Sequence, residues 1–498
     1  MTTVADIVEF RRDLFFDGAV QIGWFENDLV RRDKAASNFV FHGPQYHGVV
    51  KENVIESRGY HLTDTVSFTR KIINTFESAA GKESPISLAI AGYGTGKSHL
   101  GLTLATLLSE PQSEVARKIF ANMKHADPAI GSSIELQVGA LDAPILVIAI
   151  NGMGNFDLAG ELSRQALARL KSYGLDTAPI DDLWPRFQQA SSFVERNFDL
   201  RQDEFIERFD ADVQEEEVLH RLASRDDLAF QWVNEIFELA NGYPIRAVGQ
   251  ESPQQLIQTL CQHYCGREKP FHSMLILFDE FGRYLEFAAE RPHIAGDAAL
   301  QQIFEGVQDN ADKCSLLCLN QYELKVYLSR ISRDRQSMIQ RYITRYDSAR
   351  KFYLSSNLET LFAHLIEKKD PQFLSKYLLS SGSVRVHLQA FESIQKWFHG
   401  AEQQSVWRDP SLFQQIIVQG CWPLHPLATW FLCRSSDLDF LEKRSAITFV
   451  ADAFEREKNR PLAANGQPWS ISATSLCDSP LVKELVASEE YGHRGAVA

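Results

Sequence analysis

Ile86-Ser-Leu-Ala-Ile-Ala91-Gly-Tyr-Gly-Thr-Gly-Lys97-Ser98 is the part of this 498-residue chain that indicates its fold most clearly. An apolar run of strand length leads into a loop with three glycines, and a helical pattern follows from Ser98 to Leu108. Glycines allow the backbone to turn its N–H groups inward, and the following helix aims its positive N-terminal end at the same point. The stretch therefore predicts a phosphate-binding loop between a buried strand and a helix.

Each position of the loop has an expected role. The backbone N–H groups that surround the phosphate oxygens would be those of Gly92, Tyr93, Gly94, Thr95 and Gly96. His99, in the first turn of the following helix, would also contribute to nucleotide binding. Lys97 would bridge the β- and γ-phosphates of a nucleoside triphosphate, and Ser98 would be a ligand of Mg²⁺. The first position is Ala91 where such loops usually have glycine. A chance pattern in a glycine-rich turn is the alternative, which the flanking strand and helix disfavour.

An acidic pair supplies the second half of the predicted site. The apolar run that begins at Met274 ends in Phe278-Asp279-Glu280, which puts both carboxylates at the carboxyl end of a strand, where sheets bind ligands. We expect Asp279 to hold the Mg²⁺ and Glu280 to polarise an attacking water, which favours hydrolysis over transfer to a second substrate. An apolar strand that ends in Asp-Glu is also found at ordinary solvated turns. The catalytic role of the acidic pair is therefore inferred from its occurrence together with the upstream glycine loop.

The next apolar run, from Cys314 to Leu319, ends in Asn320. A polar amide at that point can orient the water that attacks the phosphate, although an asparagine that only ends a strand is the simpler alternative.

Basic residues then dominate from Lys325 to Lys351, with eight lysines and arginines against two aspartates. Arg341 or Arg345 could reach the γ-phosphate of a neighbouring subunit as an arginine finger, the stretch could contact DNA, or it could be a solvated helix face.

The bulk composition limits the class of protein. The chain carries a formal net charge of −14, which excludes a protein whose whole surface coats DNA. No run of apolar residues is long enough to span a membrane, and the N-terminus lacks a secretion signal, so we expect no membrane partner. Seven irregularly spaced cysteines suit a reducing compartment, and we expect a cytoplasmic protein.

Apolar strands that alternate with helices predict an α/β fold with a parallel P-loop sheet, a helical insertion and a helical lid domain. Five strands are expected, the last at Lys351–Leu354, with helices at Leu358–Lys368 and Val384–His399. The predicted organisation is an N-terminal element (1–55), a nucleotide-binding core (56–356) with an insertion at about 176–270, a lid (357–455) and the start of a further or truncated C-terminal region (456–498). The last residues, Leu481–Ala498, suggest a helix.

The order of these motifs resembles an AAA+ ATPase. Three phrases, His61-Leu-Thr-Asp64, Asp279-Glu-Phe-Gly-Arg-Tyr-Leu-Glu286 and Trp422-Pro-Leu-His-Pro426, make residues 58–455 similar to the large ATPases of bacterial phage-defence systems, including the BREX type. The resemblance implies ATP and Mg²⁺ as cofactors and a homo-oligomer or protein partners in a defence complex. It also implies that Arg444, in Glu442-Lys-Arg-Ser-Ala-Ile-Thr-Phe449, senses the γ-phosphate from the lid; a surface ion pair is equally consistent with this arginine.

The expected function is Mg²⁺-dependent ATP hydrolysis coupled to conformational change or assembly in an anti-phage or DNA-transaction complex. A DNA motor or loader that acts through residues 325–351, or through a DNA-binding partner, is one alternative. A nucleotide-gated switch or scaffold with slow turnover is the other. The absence of an Asn-Lys-x-Asp phrase that reads guanine favours ATP over GTP.

Overall fold

The computed structural model describes most of the chain between residues 2 and 477. The described residues are 2–12, 16, 19–44, 56–57, 60–77, 84–91, 96–181, 185–210, 212–245, 252–295, 298–331, 333–346, 348–354, 358–398, 400–401, 405–435, 443–464 and 467–477. The helix suggested for Leu481–Ala498 lies outside them. Within these ranges no helix is long and apolar enough to cross a membrane.

The first part of the chain contributes short elements to two different packing clusters. Its elements are α1 (Val4–Ile7), β1 (Val8–Phe10), α2 (Trp24–Asn27), α3 (Leu29–Ser37), β2 (Glu56–Ser57), β3 (Tyr60–Thr63) and α4 (Thr65–Glu77). The Asp64 carboxylate accepts the Ser67 N–H and so caps α4. The strand β3 was not expected, and it adds a sixth parallel strand to the main sheet.

The next part forms the first half of the α/β core. It contains β4 (Ile86–Ile90), α5 (Lys97–Ser109), α6 (Glu114–Ala126), α7 (Pro128–Gly139), β5 (Leu146–Asn151) and α8 (Leu158–Ser172). All five residues of β4 are buried, as are the first five of β5. Strands covered on both faces have this continuous apolar character, which is why the sequence predicts both of them.

A helical segment separates β5 from the next strand. Its helices are α9 (Ala178–Asp181), α10 (Pro185–Asn197), α11 (Gln202–Arg208), α12 (Glu215–Ala223), α13 (Asp227–Asn241) and α14 (Pro253–Tyr264). Apolar residues of these helices, such as Phe187, Phe205 and Leu256, join the cluster that packs against one face of the sheet. The described part of this segment is helical, as the sequence predicts.

The second half of the core alternates helices with the remaining strands. It contains β6 (Met274–Asp279), α15 (Phe281–Glu290), α16 (Pro292–Ala295), α17 (Ala299–Asp309), β7 (Cys314–Asn320), α18 (Leu324–Leu328), α19 (Arg333–Tyr346) and β8 (Arg350–Leu354). The strands occur in the order β2-β3-β8-β4-β7-β6-β5, where only β2 runs antiparallel to its neighbour. The predicted α/β fold with a parallel sheet is therefore confirmed.

Helices cover both faces of this sheet, which makes it the middle of three layers. Alternate residues of one strand point to opposite faces: Leu146 and Ile148 pack with α8 and α14, whereas Val147 packs with α5 and α4. Two separate apolar clusters result, and neither extends through the sheet. The carboxyl ends of the parallel strands all lie at one edge of the sheet, which positions the candidate site.

The C-terminal part is mainly helical. It contains α20 (Leu358–Leu365), β9 (Ile366–Lys368), α21 (Pro371–Leu378), α22 (Ser381–Trp397), α23 (Ser405–Arg408), α24 (Pro410–Leu412), a π-helix (Phe413–Gly420), α25 (Pro426–Ser435), α26 (Lys443–Glu457), β10 (Ala463–Ala464), β11 (Gln467–Pro468) and a 3₁₀ turn (Ala473–Leu476). Its apolar cluster extends to Leu476 and includes Val4, Val8 and Phe10 of the N-terminal part. The division between lid and C-terminal region at residue 455 stays a prediction.

One expected helix is shorter than predicted. The segment Leu358–Lys368 stops being helical at Leu365, because Ile366–Lys368 pairs as β9 with β1, far away in the sequence. The half-buried Lys368 ammonium donates to the carbonyls of Ala363, Ile366 and Gly420 and so satisfies backbone groups at the helix end. The prediction was wrong there because the partner strand and the carbonyl contacts are not local in sequence.

Candidate nucleotide site

The glycine loop joins β4 to α5, as the sequence predicts, but only its ends are described. Residues Gly92–Thr95 lie outside the described ranges, whereas Ala91, Gly96 and Lys97 lie within them. Gly96 has φ of 82° and precedes the first residue of α5, Lys97. This left-handed conformation is one that glycine adopts at little cost, which explains the residue at this position. The N–H groups in the first turn of α5 then face the end of the loop, where anions bind.

Neighbouring strands bring the predicted residues together. Ile90, the last residue of β4, pairs with Asn320 at the end of β7, and the Ala91 N–H donates to the Asn320 carbonyl oxygen at 3.0 Å. The strand β6 lies on the other side of β7 and ends at Asp279. The start of the loop, the asparagine and the acidic pair therefore meet at one edge of the sheet.

Asp279 is buried beside Ser98. The residue is 3% exposed, and the Ser98 side chain is near enough to influence its carboxylate. Burial raises the pKa of Asp279 to about 6, and the Glu280 charge adds to the rise, whereas the Ser98 side chain and Lys97 oppose it. A carboxylate and a hydroxyl at this point are the oxygen ligands that Mg²⁺ prefers.

The described residues fit a magnesium ion that shares its ligands with a substrate. No group of three His, Cys, Asp or Glu side chains in the described ranges could form an all-protein metal site. Mg²⁺ commonly uses one or two protein groups and completes its shell with water and phosphate oxygens. Ser98 and Asp279 are the two groups that would hold it here.

Lys97 is the buried cation of the site. It is 7% exposed, and burial lowers the pKa of its ammonium, whereas the charges of Glu280 and Asp279 raise it. The two carboxylates partly offset the cost of burying the charged ammonium. A cation at the first turn of α5, facing two carboxylates, suits a ligand that brings several negative charges together with a metal.

Glu280 occupies an unusual backbone conformation. It precedes α15 with φ of 51° and ψ of 37°, the left-handed region that a residue with a side chain rarely adopts. The Glu280 N–H donates to the carboxylate of the preceding residue, Asp279, at 3.0 Å. Strain of this kind costs on the order of 1–3 kcal/mol and is typical of functional positions.

A glycine directly after β5, the strand next to β6, makes room for this conformation. The Gly152 N–H donates to the Asp279 carbonyl oxygen at 2.8 Å, and a Cβ on Gly152 would lie 2.5 Å from the Glu280 carbonyl oxygen. Phe156, a few residues later, stacks on Tyr284 of α15 at 4.8 Å between ring centroids. The loop after β5 therefore supports the acidic pair from one side.

Asn320 has one side-chain atom engaged and one available. The side chain is fully buried, and its Oδ1 accepts the Gly282 N–H at 3.0 Å. Its Nδ2 has no hydrogen-bond partner in the described part of the chain. Because Oδ1 must face a donor, the amide orientation is fixed and the unpartnered N–H group is left to a ligand or a water.

His99 has a different environment from that of the loop. Its Nε2 lies 2.6 Å from the Ala35 carbonyl oxygen of α3, and its ring packs edge-on against Phe39 at 5.0 Å. The side chain therefore contacts the N-terminal segment, and only its backbone belongs to the first turn of α5. Its predicted part in nucleotide binding stays a prediction.

The basic stretch is largely engaged within the chain where it is described. Arg330 pairs with Glu286 at 3.6 Å, Arg345 with Glu305 at 2.6 Å and Lys351 with Glu323 at 3.3 Å. Arg335 donates to the last carbonyls of α15, from Ala289 and Glu290. Arg341 lies in α19 and Arg444 in the first turn of α26, and their side chains lie outside the described part of the structure.

Three residues of this region are not predicted from the sequence. Gly152 bonds the Asp279 carbonyl, Gly282 lies in the first turn of α15, and Tyr327 packs against Gly282. A Cβ on Gly282 would lie 2.0 Å from Cζ of Tyr327, so the helix and the tyrosine ring fit only because position 282 is glycine. The available signal was a glycine within the first turn of a helix, where that residue is unfavourable without a packing reason.

Comparisons with known proteins leave the family of this chain open. No protein-family model matches it, and no curated protein matches it. Among solved structures it is similar to the ORC2 protein of Aeropyrum pernix, solved as ADPNP-ADP complexes, with 14% identity, a TM-score of 0.26 and 90% of each chain covered. A superposition at that TM-score supports no argument about fold or function, so the function has to be inferred from the residues of the site.

Proposed function

We propose that this chain binds ATP with Mg²⁺ and hydrolyses it at the edge formed by β4, β6 and β7. The observation that carries the proposal is the convergence of the two halves of the site: the start of the loop bonds the end of β7 through Ala91, and the buried Asp279 at the end of the neighbouring β6 lies beside Ser98 of the loop helix. Two distant motifs expected to share one metal are thus adjacent. The Gly96 conformation and the buried Lys97 add support.

Each residue has a role in the proposed reaction. The first turn of α5 and Lys97 neutralise the phosphate charge, Ser98 and Asp279 hold the Mg²⁺, and Glu280 accepts hydrogen bonds from the attacking water. A Mg²⁺ held by Ser98 and Asp279 would neutralise negative charge on the transferred phosphoryl group. The unpartnered Nδ2 of Asn320 donates to the water or to a γ-phosphate oxygen and so fixes their relative position.

We further propose that hydrolysis is coupled to movement or assembly in a larger complex of AAA+ type. The finer role in phage defence rests on the resemblance of the sequence motifs alone. A neighbouring subunit would receive Arg341 or Arg345, and the lid would contribute Arg444. Mixing a finger variant with a loop variant tests whether either of the first two arginines acts between subunits.

Nucleotide binding and turnover by purified protein test the proposed reaction. Lys97→Ala should remove ATP binding, or turnover at any ATP concentration, because a buried ammonium facing the phosphates is lost. Lys118→Ala is the matched control, since Lys118 is exposed on α6 and pairs with Glu114 on the same helix. Wild-type turnover by the Lys97 variant would remove the loop from the mechanism.

A further inference from the structure

The residue Tyr327 lies between the two chain segments that carry the proposed catalytic groups. It belongs to α18, is 1% exposed, and its ring packs against Gly282 of α15. Its hydroxyl oxygen accepts the N–H of Gln321, the residue that follows Asn320, at 3.3 Å. One side chain therefore contacts the residue two positions after Glu280 and the residue one position after Asn320.

Those two segments are also joined directly. The Gly282 N–H donates to Asn320 Oδ1, so the position of α15 determines which way the Asn320 amide faces. If α15 moved away from β7, this hydrogen bond would lengthen and the amide could rotate. The Tyr327 ring fills the space beside Gly282, and its hydroxyl holds the main chain at the end of β7.

Other contacts keep α18 in this place. Arg330, just after α18, pairs with Glu286 of α15 at 3.6 Å and lies over the Tyr322 ring at 4.8 Å. Burial raises the pKa of the Tyr327 hydroxyl, and the nearby charges of Glu280 and Glu286 add to the rise. The hydroxyl is thus neutral at working pH and lies within the electrostatic reach of the proposed general base.

We propose that Tyr327 is a positioning residue that sets the distance and orientation of Asn320 relative to Glu280 through its contacts with Gly282 and Gln321. This inference rests on the proposed function, because it assigns Tyr327 to the same hydrolytic site. Tyr327 itself does not contact the reacting atoms. It acts through the two backbone segments and therefore affects turnover more than nucleotide binding.

The test compares kcat with the affinity for a non-hydrolysable ATP analogue in full-length variants. Tyr327→Phe keeps the ring and removes the hydroxyl, so we expect kcat to fall about 10-fold while the affinity changes less than about 2-fold. Tyr346→Phe is the matched control. The Tyr346 hydroxyl is also buried and donates to the Leu300 carbonyl, and the Tyr346 ring packs on Phe281 of α15. We therefore expect the kcat of Tyr346→Phe to stay near wild type.

Two further measurements separate positioning from a general loss of structure. In an Asn320→Ala background, Tyr327→Phe should lower kcat by less than about 2-fold, because the group it positions is already gone. Gly282→Ala should lower kcat strongly, and adding Tyr327→Leu should restore part of it, since the added Cβ meets only Tyr327 atoms within 2.5 Å.

The outcomes are distinguishable. Wild-type kcat for Tyr327→Phe, or the same fold-loss with and without Asn320, would overturn the inference while leaving the proposed function intact. Failure of Tyr327→Leu to restore any of the Gly282→Ala loss would also count against it. A wild-type chain that does not turn over ATP would overturn the proposed function, and this inference with it.

Discussion

The side-chain oxygen of Asn320 accepts the backbone N–H of Gly282 at 3.0 Å, which ties the end of β7 to the first turn of the helix that follows Glu280. The hydrogen bond is buried and leaves the Nδ2 of the amide unpartnered within the described residues. This side chain therefore has a structural role through Oδ1, and its Nδ2 is the donor that the proposed reaction would use.

Replacing this asparagine should affect both roles. Asn320→Ala leaves a buried Gly282 N–H without its acceptor, so we expect a loss of about 1–3 kcal/mol in the free energy of unfolding. We also expect kcat to fall by about 100-fold, because the water loses its donor, whereas ATP affinity stays close to wild type. Chemical denaturation and phosphate release measure the two effects. Asn310→Ala, which removes a side-chain bond to the Gly306 carbonyl far from the site, should leave kcat unchanged.

The strained conformation of Glu280 gives a second prediction. Glycine adopts φ of 51° without penalty, so Glu280→Gly should raise the free energy of unfolding by about 0.5–1 kcal/mol relative to Glu280→Gln, although both variants lose turnover. Ala298→Gly is the matched control, since Ala298 has φ of 62° in front of α17. It should gain similar stability and keep wild-type turnover. Equal stability of the two Glu280 variants would argue against strain at this position.

How much of this site the sequence predicts depends on whether the signal is local. Asp279 and Asn320 follow uninterrupted apolar runs, and strands of a parallel sheet end at a common edge, so their convergence follows from the pattern. The strand Tyr60–Thr63 was missed because four residues, two of them polar, carry too little pattern to distinguish a strand from a loop. The Gly282–Tyr327 contact depends on how α15 and α18 pack, which no local rule gives.

Glu26 should make stability depend on pH. Burial between α2 and α8 raises its pKa to about 7 despite Arg164, whose Nη1 lies 3.9 Å away. A carboxyl with a folded pKa above its unfolded value binds more protons in the folded state, so stability falls as pH rises from about 4.5 to about 7 and then levels off. Glu26→Gln removes this dependence.

The Glu26→Gln variant should therefore gain stability relative to wild type across that window, to at most about 3 kcal/mol at pH 8. Denaturant unfolding at a series of pH values gives the difference directly. Glu114→Gln is the control, because that carboxylate is exposed on α6 and should show no such gain. A difference between wild type and the Glu26 variant that does not change with pH would contradict the assignment.

The proposed arginine finger can be tested by mixing subunits. Arg345 is bonded to Glu305 of its own chain, an exposed pair that contributes little to stability. Arg341→Ala and Arg345→Ala should therefore fold normally and bind ATP, and loss of the true finger should lower turnover. Mixing that variant with Lys97→Ala should restore part of the activity, since each supplies what the other lacks. Activity that stays at the sum of the two inactive variants, or a monomer in saturating ATP, would reject a finger that acts between subunits.

The basic stretch should contribute little to direct DNA binding. Arg330, Arg345 and Lys351 each face a carboxylate from outside the stretch, which lowers the local positive potential. We expect ATP turnover to be unchanged by double-stranded DNA at low salt. Strong, salt-sensitive stimulation that disappears when these residues are neutralised would instead favour a DNA motor or loader.

Steady-state phosphate release by wild type and Glu280→Gln at saturating Mg-ATP tests whether Glu280 activates water for ATP hydrolysis. Glu290→Gln is the matched control, because it makes the same change at the exposed last residue of α15, the helix that follows Glu280. We expect turnover by wild type and Glu290→Gln, and at least about 100-fold less turnover by Glu280→Gln with ATP still bound. Equal turnover by Glu280→Gln and wild type would contradict this role of Glu280.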